Sequence, residues 1–165
     1  MDVLYHGVVG LTIAKAFGGT YEIPAIISAI IPDIVGTAPF FLFKLQRASK
    51  KSPKIFIRDA FRLLTSNTFS NTIDRTVYQI THSFITAFLI TIISYVLFRP
   101  AWIIISLSYI SHIFIDIPTH DGGFATYFLY PLSKYHKENK NWAKNPKIFL
   151  SWWGGLILLL LFLKW

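Results

Sequence analysis

Long apolar stretches alternate along the chain with polar segments that are rich in lysine and arginine. A helix that spans a bilayer needs roughly 20 mostly apolar residues, with a range near 17–25. Three stretches meet this length and two are slightly shorter. The five helices predicted in this way cover residues 3–17, 24–43, 81–98, 101–117 and 148–163. The pattern therefore predicts an all-α, polytopic membrane bundle of about five transmembrane helices that forms one domain, residues 1–165.

The positions of the basic residues bear on how often the chain crosses the membrane. Thirteen of the 16 lysines and arginines lie in two segments, residues 44–80 and 118–147. With five crossings both segments lie on one side, which the positive-inside rule makes cytoplasmic, together with the N-terminus. With four crossings the N-terminus moves to the other side, and residues 3–17 are re-entrant or interfacial. We favour five crossings.

The composition supports a membrane protein and narrows the choice of partner. Hydrophobic residues make up 53% of the chain and charged residues 15%, whereas a soluble domain carries about 25% charged residues. The net charge of +8 suits either nucleic acid or anionic lipid, but the basic segments flank the membrane helices. We therefore expect a protein of the cytoplasmic (inner) membrane that meets anionic lipid headgroups and no nucleic acid. The absence of cysteine excludes disulfides and thiolate metal ligands.

The first basic segment contains a predicted helix of its own. Ser52 and Pro53 form a favourable helix start, a serine cap followed by proline in the first position. Beyond them the apolar face holds Ile57, Ala60, Phe61 and Leu64, and the basic face holds Lys51, Lys54, Arg58 and Arg62. This pattern is typical of a peripheral amphipathic helix on an anionic membrane surface. A solvated helix that packs on the domain is the alternative.

The stretch SYISHIFIDIPTHDGG, residues 108–123, places histidines and aspartates at the end of an apolar helix. His112, Asp116 and His120 follow one another at intervals of four residues, so that His112 and Asp116 share one helix face. Charged groups within membrane segments are costly and usually face a bundle interior, a cavity or a partner. These residues are therefore candidates for a buried site.

Histidines and aspartates from distant parts of the chain reach the same side in the five-crossing topology. His6 and His82 begin their helices at the cytoplasmic side, where the helix that carries Asp116 ends. Asp33 lies nearer the middle of the bilayer, counted at about 1.5 Å per helical residue. We expect these side chains to contribute to one site.

Imidazole nitrogen and carboxylate oxygen together suit a zinc, manganese or iron ion. Such an ion would justify the burial of the carboxylates and could acidify a water molecule into a nucleophile. The pair His112 and Asp116, taken alone, is explained better by a hydrogen bond between the two side chains. The contributions from other helices favour a metal. The predicted metal ligands are His6, Asp33, His82, His112 and Asp116, and the candidate general bases are Asp33 and His120.

Four short motifs occur in an order that is similar to a known family. They are YHG (5–7), IPDI (31–34), THS (81–83) and SHIFIDIPTHDGG…LYPLS (111–133). The chain resembles the membrane-bound, metal-dependent hydrolases of the YdjM/YbcI type. The resemblance implies a small helical membrane bundle whose matching residues form a metal site. These residues are His6, Asp33, His82, His112 and Asp116, with His120 as an additional candidate.

The chain departs from the family pattern at two places. Val35 stands where family members often carry a second aspartate, so a dinuclear site is less expected. The residues YQI (78–80) stand where many members carry His-Arg, so the role of that arginine with an anionic substrate does not carry over.

The site and the basic segments together predict a membrane-embedded, metal-dependent hydrolase at the cytoplasmic membrane face. The expected substrate is an ester or phosphoester of a lipid or lipid-linked molecule. One alternative is a non-catalytic scaffold that recruits a partner through its basic segments and contains a structural metal or a hydrogen-bonded polar cluster. A small transporter is a weaker alternative, because the polar groups gather at one membrane face and do not line a path across.

Overall fold

The computed structural model of the chain describes residues 2–49, 72–137 and 142–162. All regular elements in these residues are helical and no strand occurs among them, as the apolar pattern predicts. The α-helices are α1 (Val3–Ala16), α2 (Glu22–Ser49), α3 (Thr72–Thr81), α4 (Phe84–Leu97), α5 (Trp102–Thr119) and α6 (Pro146–Phe162). The predicted amphipathic basic helix, within residues 51–64, lies outside the described residues.

Three differences between the observed helices and the predicted segments concern α2, α3 and α5. α2 extends to Ser49, six residues beyond the predicted end at 43. α3 occupies the last part of the segment that was predicted as a loop. α5 runs through Pro118 to Thr119, although proline disfavours helix in its predecessor. The helix ends directly after Thr119, where His120 is extended (φ −114°, ψ 147°).

Two helices in the described residues are long and apolar enough to cross a membrane, Glu22–Phe40 within α2 and Trp102–Thr119. α3 and α4 together qualify as a third span, bent by 56° at a short break. α1 and α6 are apolar but shorter, with 14 and 17 residues. The described residues therefore contain two or three candidate spans, and the count of about five crossings stays a prediction.

α1 and α2 form an antiparallel pair that depends on glycine. A Cβ atom on Gly10 would lie 2.6 Å from the carbonyl oxygen of Ala25 and 2.8 Å from the Cβ of Ala29. Small residues allow membrane helices to approach this closely. The turn between the helices contains Gly18 and Gly19, both at positive φ, which glycine adopts without steric cost.

α5 packs against α1, α2 and α4 and forms polar contacts with its surroundings. The Ser28 hydroxyl of α2 donates to the carbonyl of Ile105 over 2.7 Å. The Tyr109 hydroxyl donates to the carbonyl of Thr81, at the end of α3, over 2.7 Å. Lipid cannot satisfy polar groups, so hydrogen bonds between helices take this role. These bonds join the first half of α5 to α2 and to the end of α3.

Candidate metal centre

Four buried side chains meet where α2, the break between α3 and α4, and the C-terminal half of α5 come together. They are Asp33 from α2, His82 from the break, and His112 and Asp116 from α5. One ligand atom from each lies within 4.8 Å of the others. Asp33 is 9% exposed, whereas the other three are fully buried. Asp33 is therefore the least buried member of this group.

His112 directs the second nitrogen of its ring, Nε2, at the two carboxylates. Its Nδ1 lies 2.6 Å from the carbonyl oxygen of Ala29, and because a carbonyl only accepts, Nδ1 carries the proton. In a neutral imidazole the lone pair is then on Nε2, which lies 3.1 Å from Asp116 Oδ2 and 3.7 Å from Asp33 Oδ1. Within the described residues this Nε2 makes no hydrogen bond. A ring whose other nitrogen donates to a carbonyl is typical of a metal-ligating histidine.

His82 repeats this arrangement from another part of the chain. Its Nδ1 donates to the carbonyl of Tyr78 over 2.8 Å, which again leaves the lone pair of a neutral ring on Nε2. That atom lies 3.3 Å from Asp33 Oδ1 and 3.5 Å from Asp116 Oδ2. His82 can face the carboxylates because it lies in the break between two helices. α3 has just ended, and the Ser83 side chain caps the start of α4.

One divalent cation fits this donor set. Two carboxylates and two imidazole lone pairs repel one another when they are buried together without a partner. Extra protons on the rings or one cation between the four groups would remove this repulsion. Two nitrogen and two oxygen donors suit zinc, and they also suit manganese or iron. The group can therefore hold a metal ion.

Two further histidines contact Asp116 through its other oxygen. Nε2 of His6 lies 3.1 Å from Asp116 Oδ1, and Nδ1 of His120 lies 3.2 Å from the same oxygen. The ring of His6 also stacks on the ring of His112, with their centroids 3.7 Å apart. His6 and His120 thus orient the carboxylate through the oxygen that faces away from His82 and His112, as hydrogen-bond partners of metal ligands commonly do.

His6→Ala is expected to weaken metal binding about 10- to 100-fold without abolishing it, because partners that orient a ligand typically contribute that much. The measurement is a metal titration of purified protein in detergent, in competition with a chelator of known affinity. His136→Ala is the matched control, since His136 contacts the ring of Tyr127 and the carbonyl of Lys134. A complete loss of binding in His6→Ala would make His6 a ligand in its own right.

Hydrogen bonds from two side chains of α3 hold the segment after α5 in place, and neither residue was predicted as part of the site. The Gln79 amide donates to the Ala125 carbonyl and accepts from the Tyr127 N–H, both over 2.8 Å. The Tyr78 hydroxyl donates to the Phe124 carbonyl over 3.1 Å. A tyrosine and a glutamine in an amphipathic helix give no signal of this role, because it depends on where a distant loop folds.

The structure brings the predicted site residues together. The four-residue group contains Asp33, His82, His112 and Asp116, and His6 and His120 lie beside it against Asp116. His6 was predicted as a ligand. In the structure its Nε2 contacts the carboxylate of Asp116, which belongs to the four-residue group. The role of Asp33 or His120 as general base stays a prediction.

These features define a helical membrane protein with a buried histidine–aspartate group that can hold a metal ion. The chain belongs to the YdjM inner membrane protein family, whose family model matches residues 1–165, the whole chain. This match confirms the resemblance that the four motifs indicated. Comparisons with curated proteins and with solved structures found no significant match.

Proposed function

We propose that the protein is a membrane-embedded, metal-dependent hydrolase that acts at the cytoplasmic membrane face. Its substrate would be an ester or phosphoester of a lipid or lipid-linked molecule. The observation that carries the proposal is the convergence of two imidazole nitrogens on two buried carboxylates. The basic segments 44–80 and 118–147 support an anionic substrate and anionic headgroups. Their charge also favours the cytoplasmic side.

A divalent ion held by the four-residue group would supply Lewis acidity and make a water molecule more acidic. Asp33 is suited to take the proton of that water, because its Oδ1 lies 3.3 Å from His82 Nε2 while its Oδ2 makes no hydrogen bond within the described residues. The oxygen of water would join the acyl carbon or phosphorus as the bond to the leaving oxygen breaks. The proton taken by Asp33 would then pass to the leaving oxygen. His120, beside Asp116, is the second candidate for this proton transfer.

Purified protein in detergent, loaded with zinc, manganese or iron, is expected to hydrolyse at least one member of a panel of phosphoesters and lipid esters. A chelator should abolish turnover and the added metal should restore it. Wild type and His136→Ala should behave alike, since His136 takes no part in the proposed chemistry. Protein that binds metal but turns over no substrate would favour the scaffold that recruits a partner through its basic segments.

His120→Ala separates the two candidate bases in the same assay at saturating metal. Loss of a proton-transfer residue typically lowers the rate by roughly 100- to 10,000-fold. A fall of this size with the metal content retained would identify His120 as the base, and a small change would leave Asp33.

A further inference from the structure

An apolar groove lies between α1, α5 and α6. Its volume is about 430 Å³, within the range of roughly 300–1,000 Å³ that is typical of ligand pockets. Its walls include Val9, Leu156 and Leu159, and none of the described side chains that line it is charged. A second apolar groove of about 530 Å³ adjoins it, and Ile13, Ile115 and Trp152 line both.

The groove begins beside the candidate metal centre. Tyr5 and Ile115 line it, and their sequence neighbours His6 and Asp116 contact each other at 3.1 Å. From Tyr5 the groove follows α1 to Thr12, which is about 10 Å at 1.5 Å per residue. A ligand in the groove would therefore have one end near the centre and the other in the apolar part of the bundle.

The hydroxyl groups of the α1 wall are already bound to backbone carbonyls. Thr12 Oγ1 donates to the carbonyl of Val8 over 2.8 Å, and the Tyr5 hydroxyl donates to the carbonyl of Trp152 over 3.4 Å. The walls thus offer apolar contact and dispersion, which a hydrocarbon chain matches. Beyond the groove α6 exposes large apolar side chains, among them Leu158 and Leu161, as a helix that faces lipid does.

The end of the groove near the centre is also the basic end of α6. Lys147 in the first turn of α6 and Lys144 just before the helix are exposed there. Lys147 precedes Trp152 by about 7.5 Å along the helix axis at 1.5 Å per residue. The same end of α6 lies beside the start of α1, because Trp153 Nε1 donates to Asp2 Oδ2 over 3.3 Å. An apolar groove with cations at one end complements an amphiphile with an anionic head.

We propose that this groove binds one acyl chain of an anionic phospholipid, with the headgroup directed towards the candidate metal centre. Hydrolysis of the bound lipid rests on the proposed function. If both proposals hold, the substrate of the hydrolase is an acyl lipid. Binding of the acyl chain itself requires no catalysis, so it can be tested separately.

Gly155 and Gly154 provide a matched pair of variants. Both lie in α6, and a Cβ atom on either would meet no atom of the described part of the chain within 4 Å. Gly155 lines the groove whereas Gly154 does not. Gly155→Phe is therefore expected to fill the groove, and Gly154→Phe to leave it open, while both variants fold.

The test uses delipidated protein in detergent and a phosphatidylglycerol with a photoreactive diazirine on one acyl chain. Labelled peptides are identified by mass spectrometry after irradiation. We expect labelling concentrated in α1 and α6, reduced at least about fivefold in Gly155→Phe, which corresponds to roughly 1 kcal/mol, and unchanged in Gly154→Phe. Equal labelling of both variants, labelling spread over all helices, or labelling by a polyprenyl phosphate probe alone would overturn the proposal.

Labelling is read without turnover, so the two proposals can fail independently. If the protein hydrolyses a substrate but Gly155→Phe does not reduce the labelling, the acyl groove is contradicted and the proposed function stays intact. Labelling of the expected pattern in a protein without turnover would support the groove and contradict the hydrolase.

Discussion

Asp116→Asn is expected to lower metal affinity by at least about 100-fold, beyond the 10- to 100-fold typical of a residue that only orients a ligand. Asp116 uses both carboxylate oxygens: Oδ1 faces His6 and His120, and Oδ2 faces His82 and His112. Asparagine has one acceptor oxygen and one NH₂ donor. In one orientation the NH₂ group of asparagine faces the donors of His6 and His120. In the other it replaces the oxygen that faces His82 and His112.

The measurement is a metal titration of the folded variant against wild type, with the far-ultraviolet circular dichroism spectrum as a check on helix content. Glu22→Gln is the matched control, because it makes the same carboxylate-to-amide change at the partly exposed ion pair of Glu22 with Lys15, where such a pair contributes little to stability. Wild-type affinity in Asp116→Asn would remove Asp116 from the ligand set.

Gly36→Leu is expected to destabilise the protein by about 1–3 kcal/mol, the usual cost of overpacking, and to weaken metal binding as well. A Cβ atom on Gly36 would lie 2.6 Å from Thr81 Oγ1, 3.2 Å from His82 Cε1 and 3.3 Å from Tyr78 Cα. Gly36 follows Asp33 by about one helical turn of 3.6 residues. A larger side chain must therefore push α2 away from α3 where Asp33 meets His82.

Thermal unfolding in detergent and a metal titration measure the two effects of Gly36→Leu. Gly154→Leu makes the same change at a helical position where a Cβ meets no atom of the described residues within 4 Å. It should leave metal binding unchanged and should not lower the unfolding temperature, because leucine favours a helix more than glycine does. If Gly36→Leu unfolds and binds metal like wild type, close contact between α2 and α3 is not what assembles the centre.

The sequence predicts the helices and the members of the site for a physical reason. An apolar run of sufficient length has few alternatives to a membrane helix, because lipid satisfies no backbone polar group. Histidine and aspartate within such runs must find partners, so Asp33, His82, His112 and Asp116 were expected together before their helices were placed. The structure brings them within 4.8 Å of one another.

The finer arrangement depends on contacts that the sequence does not reveal. The apolar run 81–98 shows no interruption at its start, yet the helix breaks at His82 because the Ser83 hydroxyl accepts from the Thr86 N–H. The separate roles of the two Asp116 oxygens follow from the approach of His6 from α1. Such distances between helices come from packing, which composition and spacing do not specify.

The central claim is that the buried histidine–aspartate group holds a metal ion, and metal content tests it most directly. Mass spectrometry of elements in detergent-purified protein, reconstituted with zinc, manganese or iron, should find about one ion per chain in wild type and in His136→Ala. His112→Ala should lose that ion while it remains folded. No bound metal in wild type with any of these ions, or equal content in His112→Ala, would contradict the account.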